Sequence, residues 1–183
     1  MTGLPQALTV GGQKLPIDAD FRNVLRIFQA FNDPDLTDRE KAFICVQRLY
    51  RKAPGSEHWM EAIERAYWFC GGGDIPQEKP ARVKLLDWEQ DAGILFPAIN
   101  KTLGFEVRAV KFLHWWTFLG AFCEIGEGTF STVLHIRRKL ADRKPLDKWE
   151  REILKQHRAM IVLRSEQERK AIDETETFLK TLI

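Results

Sequence analysis

The sequence predicts a mainly α-helical protein: a bundle of about six to seven helices behind a short N-terminal β-hairpin, with a long C-terminal helix. Three observations predict it. Apolar residues recur at the helical spacing i, i+3, i+4 along most of the chain. Gly and Pro clusters interrupt those runs at the lengths of ordinary helices. Strand-like character is confined to the residues on either side of Gly11-Gly12.

Residues 7–10 and 13–17 flank Gly11-Gly12, whose access to positive φ suits a tight two-residue turn, so they pair as a hairpin. An isolated hairpin is marginal in water and must lean on helices or a neighbouring subunit. Beyond Asp18-Ala19-Asp20 the period becomes helical, with Phe21, Val24, Leu25, Phe28 and Phe31 on one side, until Asp33-Pro34 ends the run. Thr37-Asp38-Arg39-Glu40 is a capping box for a second helix carrying Phe43, Ile44, Val46, Leu49 and Tyr50. It stops before Pro54-Gly55. Ser56 caps a third helix with Trp59, Ile63, Ala66 and Cys70 inward, and Gly71-Gly72-Gly73 terminates it.

After a surface loop over 74–84, a fourth helix covers 87–103, kinked at Pro97 and closed by Gly104. A fifth covers 110–125. Trp115, Phe118, Leu119 and Phe122 form its main stripe, and Phe112, Trp116 and Cys123 a second apolar edge, so it reads as the central helix. His114 falls on the remaining strip with Val110, Thr117 and Ala121. Thr129 caps a sixth helix reaching Asp142, and Pro145 separates it from the last segment. That segment, 147–182, reads as one helix with Trp149, Ile153, Met160 and Ile161 early and Ile172, Phe178, Leu179 and Leu182 late, while 164–170 holds no apolar residue. At 1.5 Å per residue it would reach roughly 50 Å, longer than a domain of this size is wide. It therefore breaks near Arg164 or carries its end away from the body, and in the second case its late apolar residues need a partner. The organisation is a helical core with its hairpin over 1–145 and a C-terminal helix over 146–183.

The 183 residues suffice for one domain with a real core and are short for two. The 44% hydrophobic and 30% charged content is an ordinary globular balance. A net charge of +2 lacks the surplus of Lys and Arg that phosphate binding requires, which argues against nucleic acid as the main ligand. The longest mostly apolar run, 115–123, is too short to span a bilayer, and Met1-Thr2-Gly3-Leu4-Pro5 shows no secretory pattern. Cys45, Cys70 and Cys123 are odd in number and far apart in apolar helical surroundings. They read as buried hydrophobes in a reduced cytosolic compartment.

Candidate chemistry is sparse. Asp87, Glu89 and Asp91 suggest a carboxylate cluster, yet Asp87 and Asp91 fall in a first helical turn, where the backbone dipole favours acids. No calcium-loop spacing or His-x-x-x-His pair accompanies them. His58, His114, His135 and His157 have no ligand spacing. His114, within a packed helix, must find hydrogen-bond partners, and a carboxylate, Asp91 first, is the expected one. Gly71-Gly72-Gly73 lacks the Lys-Ser/Thr ending and strand context of a phosphate loop. Arg137-Arg138-Lys139 with Arg143 and Lys144 reads as a solvated basic face at a helix C-terminus. No metal, cofactor or catalytic constellation is expected, and hence no enzyme.

Four landmarks in order carry a resemblance: Leu15-Pro-Ile-Asp-Ala-Asp-Phe-Arg22 after the hairpin, Asp87-Trp-Glu-Gln-Asp91, Leu113-His-Trp-Trp-Thr-Phe118, and Phe130 followed by Ile136-Arg137. Together they resemble a family of small proteins of tailed bacteriophages and prophages encoded in the tail-gene region near the tape-measure gene. The resemblance covers the chain from the hairpin through Leu140. Pro97 departs from the plain helix of alanines and aromatics that it implies there. It implies a tail assembly chaperone in the host bacterial cytoplasm, holding the tape-measure protein soluble until tail-tube subunits polymerise around it. Asp20, Phe21, Arg22, Asp91, His114, Trp115, Phe118 and Arg137, with Trp116 in the same motif, carry over as fold-maintaining positions, and one buried polar network under the aromatic stripe is the expected arrangement. The two apolar groups of the last helix (Met160 and Ile161; Ile172, Phe178, Leu179 and Leu182) suit contact with a partner helix or a copy of the same chain. The alternative is a structural virion component, a connector or tail-completion subunit forming an oligomeric ring. A small helical enzyme or nucleic-acid-binding regulator is the least supported class.

Overall fold

The computed structural model describes residues 3–73 and 83–164. They fall into two compact units, one within Met1–Ala81 and Ile94–Gly126, the other within Arg82–Gly93 and Glu127–Ile183. The boundary expected at 145/146 lies inside the second. The fold class is as predicted: the described residues hold eight α-helices and one two-stranded hairpin.

In the first unit, β1 (Ala7–Val10) and β2 (Gln13–Pro16) pair antiparallel, with Ala7 opposite Pro16 and Val10 opposite Gln13. Gly11 and Gly12 turn the chain at φ 55° and 73°, which glycine adopts without penalty. Leu8, Val10 and Leu15 are buried, so the hairpin leans on the helices through one face. Asp20 caps α1 (Phe21–Phe31) by accepting the Arg22 N–H. The predicted Thr37/Glu40 capping box opens α2 (Asp38–Leu49). A single 3-10 turn at Ser56–His58 leads into α3 (Trp59–Cys70), and Ser56 makes no side-chain cap. The buried face of α3 is Ala62, Ala66, Phe69 and Cys70, so Trp59 and Ile63 lie off its centre. In α2, Phe43 is exposed. Helices here carry wider apolar stripes than they bury, and an apolar period alone does not find the buried edge.

The fourth helix begins later than predicted, as α4 (Ala92–Leu103), and runs unbroken through Pro97. The fifth is corrected most: α5 is Trp115–Cys123, and its N-cap is His114. Residues 110–113 are not helical because their backbone groups are used elsewhere. The Val110 carbonyl, which in a helix would receive the His114 N–H, accepts Arg22 Nη2 at 2.6 Å. The Leu113 N–H goes to Asp20 Oδ2 (3.2 Å), and the Leu113 carbonyl accepts the Phe21 N–H (3.0 Å). Phe112 is therefore exposed, as is Cys123, contrary to the reading of every cysteine as buried. Trp115, Phe118 and Ala121 form the buried side of α5, and Phe118 stacks on Phe21 with ring centroids 4.6 Å apart.

In the second unit, α6 (Thr129–Ala141) has Gly128 at its N-cap. Ser131 Oγ accepts the Gly128 N–H at 3.0 Å, so Thr129 is the first helical residue rather than the cap. Arg143, at φ 53°, ends the helix in the left-handed region. An Asp147/Glu150 capping box opens α7 (Lys148–Gln156), and a short α8 (Arg158–Ile161) follows. The single helix expected over 147–182 ends near Arg164, since α8 stops at Ile161 and residues 162–164 are not helical, and it is also broken earlier, at His157. The break turns Ile161 fully inward and delivers the last carbonyls of α8 to Arg137. Ile161 is therefore core, not partner surface. The apolar residues Ile172, Phe178, Leu179 and Leu182 lie outside the described residues. Among the described residues no helix is long and apolar enough to cross a membrane.

Candidate functional site

The residues singled out by sequence assemble into two separate polar clusters, one in each unit. The expectation of one network joining His114 to Asp91 is corrected. Both His114 nitrogens are used within the first unit: Nδ1 accepts the Trp116 N–H (3.0 Å), and Nε2 meets the Pro5 carbonyl (2.9 Å). An acceptor at Nδ1 and a donor at Nε2 define the Nε2–H tautomer. Asp91 is held by Arg137.

In the first cluster the two adjacent tryptophans act as donors. Trp115 Nε1 donates to the Cys70 carbonyl and Trp116 Nε1 to the Phe69 carbonyl, each at 2.9 Å. These are carbonyls of the last turn of α3, which a helix leaves without intrahelical partners. Gly73, at φ 101°, turns the chain there. A Cβ on it would stand 3.2 Å from Trp116 Cη2. The Trp-Trp pair and the glycine run thus form one capping device, a connection the sequence reading did not make. Around it, Arg22 bridges Asp20 through Nη1 (3.1 and 3.0 Å) and takes the carbonyls of Val107, Arg108 and Val110 through Nη2 (3.1, 3.3 and 2.6 Å). One side chain thereby holds the loop that leads into α5.

The second cluster is buried. Arg137 reaches both carboxylate oxygens of Asp91 (2.6 and 2.8 Å) and donates to the carbonyls of Leu85, Met160 and Ile161 (2.8, 2.8 and 2.7 Å). The Asp91 side chain also accepts the Asp87 N–H (2.9 Å). Asp87 closes its own turn by accepting the Glu89 and Gln90 N–H groups. Burial works against its ionisation, but Lys84 at 2.7 Å and those N–H donors outweigh it and hold the carboxyl below its ordinary value. Glu150, also buried, is held low by Lys139 (2.6 and 2.7 Å), then by the Asp147 N–H, with His135 at 3.1 Å. The predicted basic face is therefore split. Arg137 points inward and Lys139 is paired, leaving Arg138, Arg143 and Lys144 exposed. The Asp147-x-x-Glu150 spacing was the available signal for the Glu150 site.

Neither cluster offers a nucleophile with an adjacent base. Cys70, a buried free thiol hydrogen-bonded to the free thiol of Cys45, is pushed well above the ordinary value, the opposite of activation. Among the described residues no group of three or more His, Cys, Asp or Glu could hold a metal ion. What the surface offers instead is apolar concavity. In the second unit a cleft of about 420 Å³ is lined by Val133, Trp149, Ile153 and Met160, with Trp149 61% exposed. In the first unit a groove of about 580 Å³ runs between α1 and α2. Of the predicted partner-binding residues, Met160 alone among the described ones lines such a cleft.

Residues 1–163 match the profile of a protein family described as Bacteriophage Gp15 protein. No curated protein and no solved structure matches the chain.

Proposed function

The chain belongs to the bacteriophage Gp15 protein family, and from that premise we propose that it is a tail assembly chaperone, binding the tape-measure protein during tail morphogenesis in the host cytoplasm. The family match is the observation that carries the reading, since it supports a structural or assembly role in a phage. Two features are in keeping with it. Asp20, Arg22, Asp87, Asp91 and Arg137 are spent on holding segments together, in keeping with a protein that works by adhesion. Large apolar side chains (Phe43, Met60, Trp149) stand more than half exposed, at 53%, 68% and 61%, the kind of surface on which another helix can be held. In this reading the protein turns over no substrate and needs no cofactor.

Co-expression with the neighbouring tape-measure protein tests the proposal. The intact chain raises the soluble yield of that protein, and deletion of 164–183, which removes Ile172, Phe178, Leu179 and Leu182, weakens the effect. Unchanged solubility with the intact chain rules the chaperone out. Abundant stoichiometric copies in purified virions would assign the protein to the particle instead, as a connector or completion subunit.

A further inference from the structure

We infer that the groove between α1 and α2 is a docking site for an acidic amphipathic helix of a partner protein, with a carboxylate clamped by Arg26 and Arg48. The groove is lined by Arg26, Ala30, Phe43, Ile44, Gln47 and Arg48, among others. The two helices are joined by the short stretch 32–37, and the Arg48 carbonyl accepts Asn23 Nδ2 at 2.9 Å. The start of α1 thus lies beside the end of α2, as in an antiparallel helical hairpin. Arg26 is one turn beyond Asn23, which brings both guanidiniums to the same end of the groove, while Ala30, Phe43 and Ile44 form the other.

That polarity selects the occupant. Arg26 and Arg48 are exposed and have no side-chain hydrogen bond or ion pair among the described residues, whereas Arg22, Arg108 and Arg137 all have both. Two guanidiniums lining one groove whose lining holds no acidic side chain favour a carboxylate there, which each can grip through paired N–H donors. Phe43, at the apolar end, stands exposed, its ring centroid 5.8 Å from that of Trp59. A segment matching both ends presents acids followed, a turn or so along, by two or three apolar residues. As a helix it fits the channel between two others. The inference rests on the chaperone reading for the identity of the natural partner, but not for the chemistry recognised.

The test uses the full chain, isotope-labelled for amide spectra. The probes are a synthetic amphipathic peptide with leucines on one face and glutamates on the other, and its isomer with lysine in place of every glutamate. The acidic peptide shifts amides around Arg26, Phe43 and Arg48, and the basic one leaves them in place. Affinity falls about tenfold or more in R26E/R48E, as loss of a charge-assisted clamp should produce, and falls also with added salt. These side chains are exposed, so the variant should keep its fold. R26Q/R48Q provides the same comparison should reversal disturb it. Equal binding of both peptides, shifts elsewhere, binding undiminished by these variants, no binding, or tighter occupation of the same residues by plain duplex DNA would each overturn the inference. Capture of the acidic peptide without any gain in tape-measure solubility would remove the chaperone reading and leave the groove standing.

Discussion

The two units solve the same problem with different chemistry. Each must tie distant stretches of chain to carbonyls at a helix end. The first does so at its centre with neutral indoles, Trp115 and Trp116 donating to Cys70 and Phe69. Its guanidinium, Arg22, is kept at the rim with about a third of its side chain exposed (35%). The second places a full ion pair in the interior, with Arg137 and Asp91 side chains 4% and 1% exposed. An indole that loses its acceptor leaves one polar group unsatisfied. A buried guanidinium that is removed leaves a bare carboxylate and several orphaned carbonyls. The second unit is therefore the more brittle one, although its key residue resembles surface lysines and arginines in sequence.

The largest expected effect follows directly. Arg137→Ala strands Asp91 and frees the carbonyls of Leu85, Met160 and Ile161, at a cost of about 3–5 kcal/mol. Denaturant unfolding monitored by amide exchange separately in each unit checks it, because a single transition cannot be assumed for two compact units. Loss confined to the second unit is the expected result, and a loss below 1 kcal/mol would show that Asp91 finds another partner or water. Next comes Trp115→Phe, which keeps most of the ring volume but removes the donor to Cys70, for about 1–3 kcal/mol in the first unit. Trp116→Phe should cost less because that ring is only partly buried. Gly73→Ala is smaller still, about 1 kcal/mol, from the left-handed backbone and the approach of the new Cβ to Trp116. If Gly73→Ala proved neutral, the glycine run would be a plain helix stop and not part of the tryptophan cap.

How much of this was legible in the residues depends on whether the deciding partner was local. The hairpin turn at Gly11-Gly12 and the Thr37/Glu40 box involve contacts within a few residues, and both stand where the sequence puts them. The start of α5 was misplaced because the group that denies Val110 its helical bond is Arg22, far away in sequence. His114 looked like a core histidine in search of a carboxylate, and nothing in its neighbourhood points to the Pro5 carbonyl. Arg137 and Lys139 looked solvated for the same reason: their acceptors lie on other elements. For the break at His157 no glycine or proline gives warning. There the burial of Ile161 and the needs of Arg137 override a sequence that could have continued as helix.

Acid sharpens the contrast most gently. Glu150 has a depressed carboxyl in the folded state, so its contribution is fully present above the ordinary glutamate value and is lost as pH falls through the lower, folded one. Asp87 behaves in the same sense. In the first unit the depressed carboxyls, Glu40 and Glu106, the latter lowered to about 2 by Arg108, sit on the exposed Thr37 cap and a surface turn. Protonating them frays an end without exposing core, and solvent screens such surface pairs. As pH falls below the ordinary carboxylate range, the second unit should therefore lose protection from amide exchange earlier than the first. Glu150→Gln should flatten that dependence, because the amide neither titrates nor pairs with Lys139 as an anion. The same profile with and without Glu150, or simultaneous loss in both units, would place the acid sensitivity elsewhere and remove the charge chemistry of α7 from the difference between the two units.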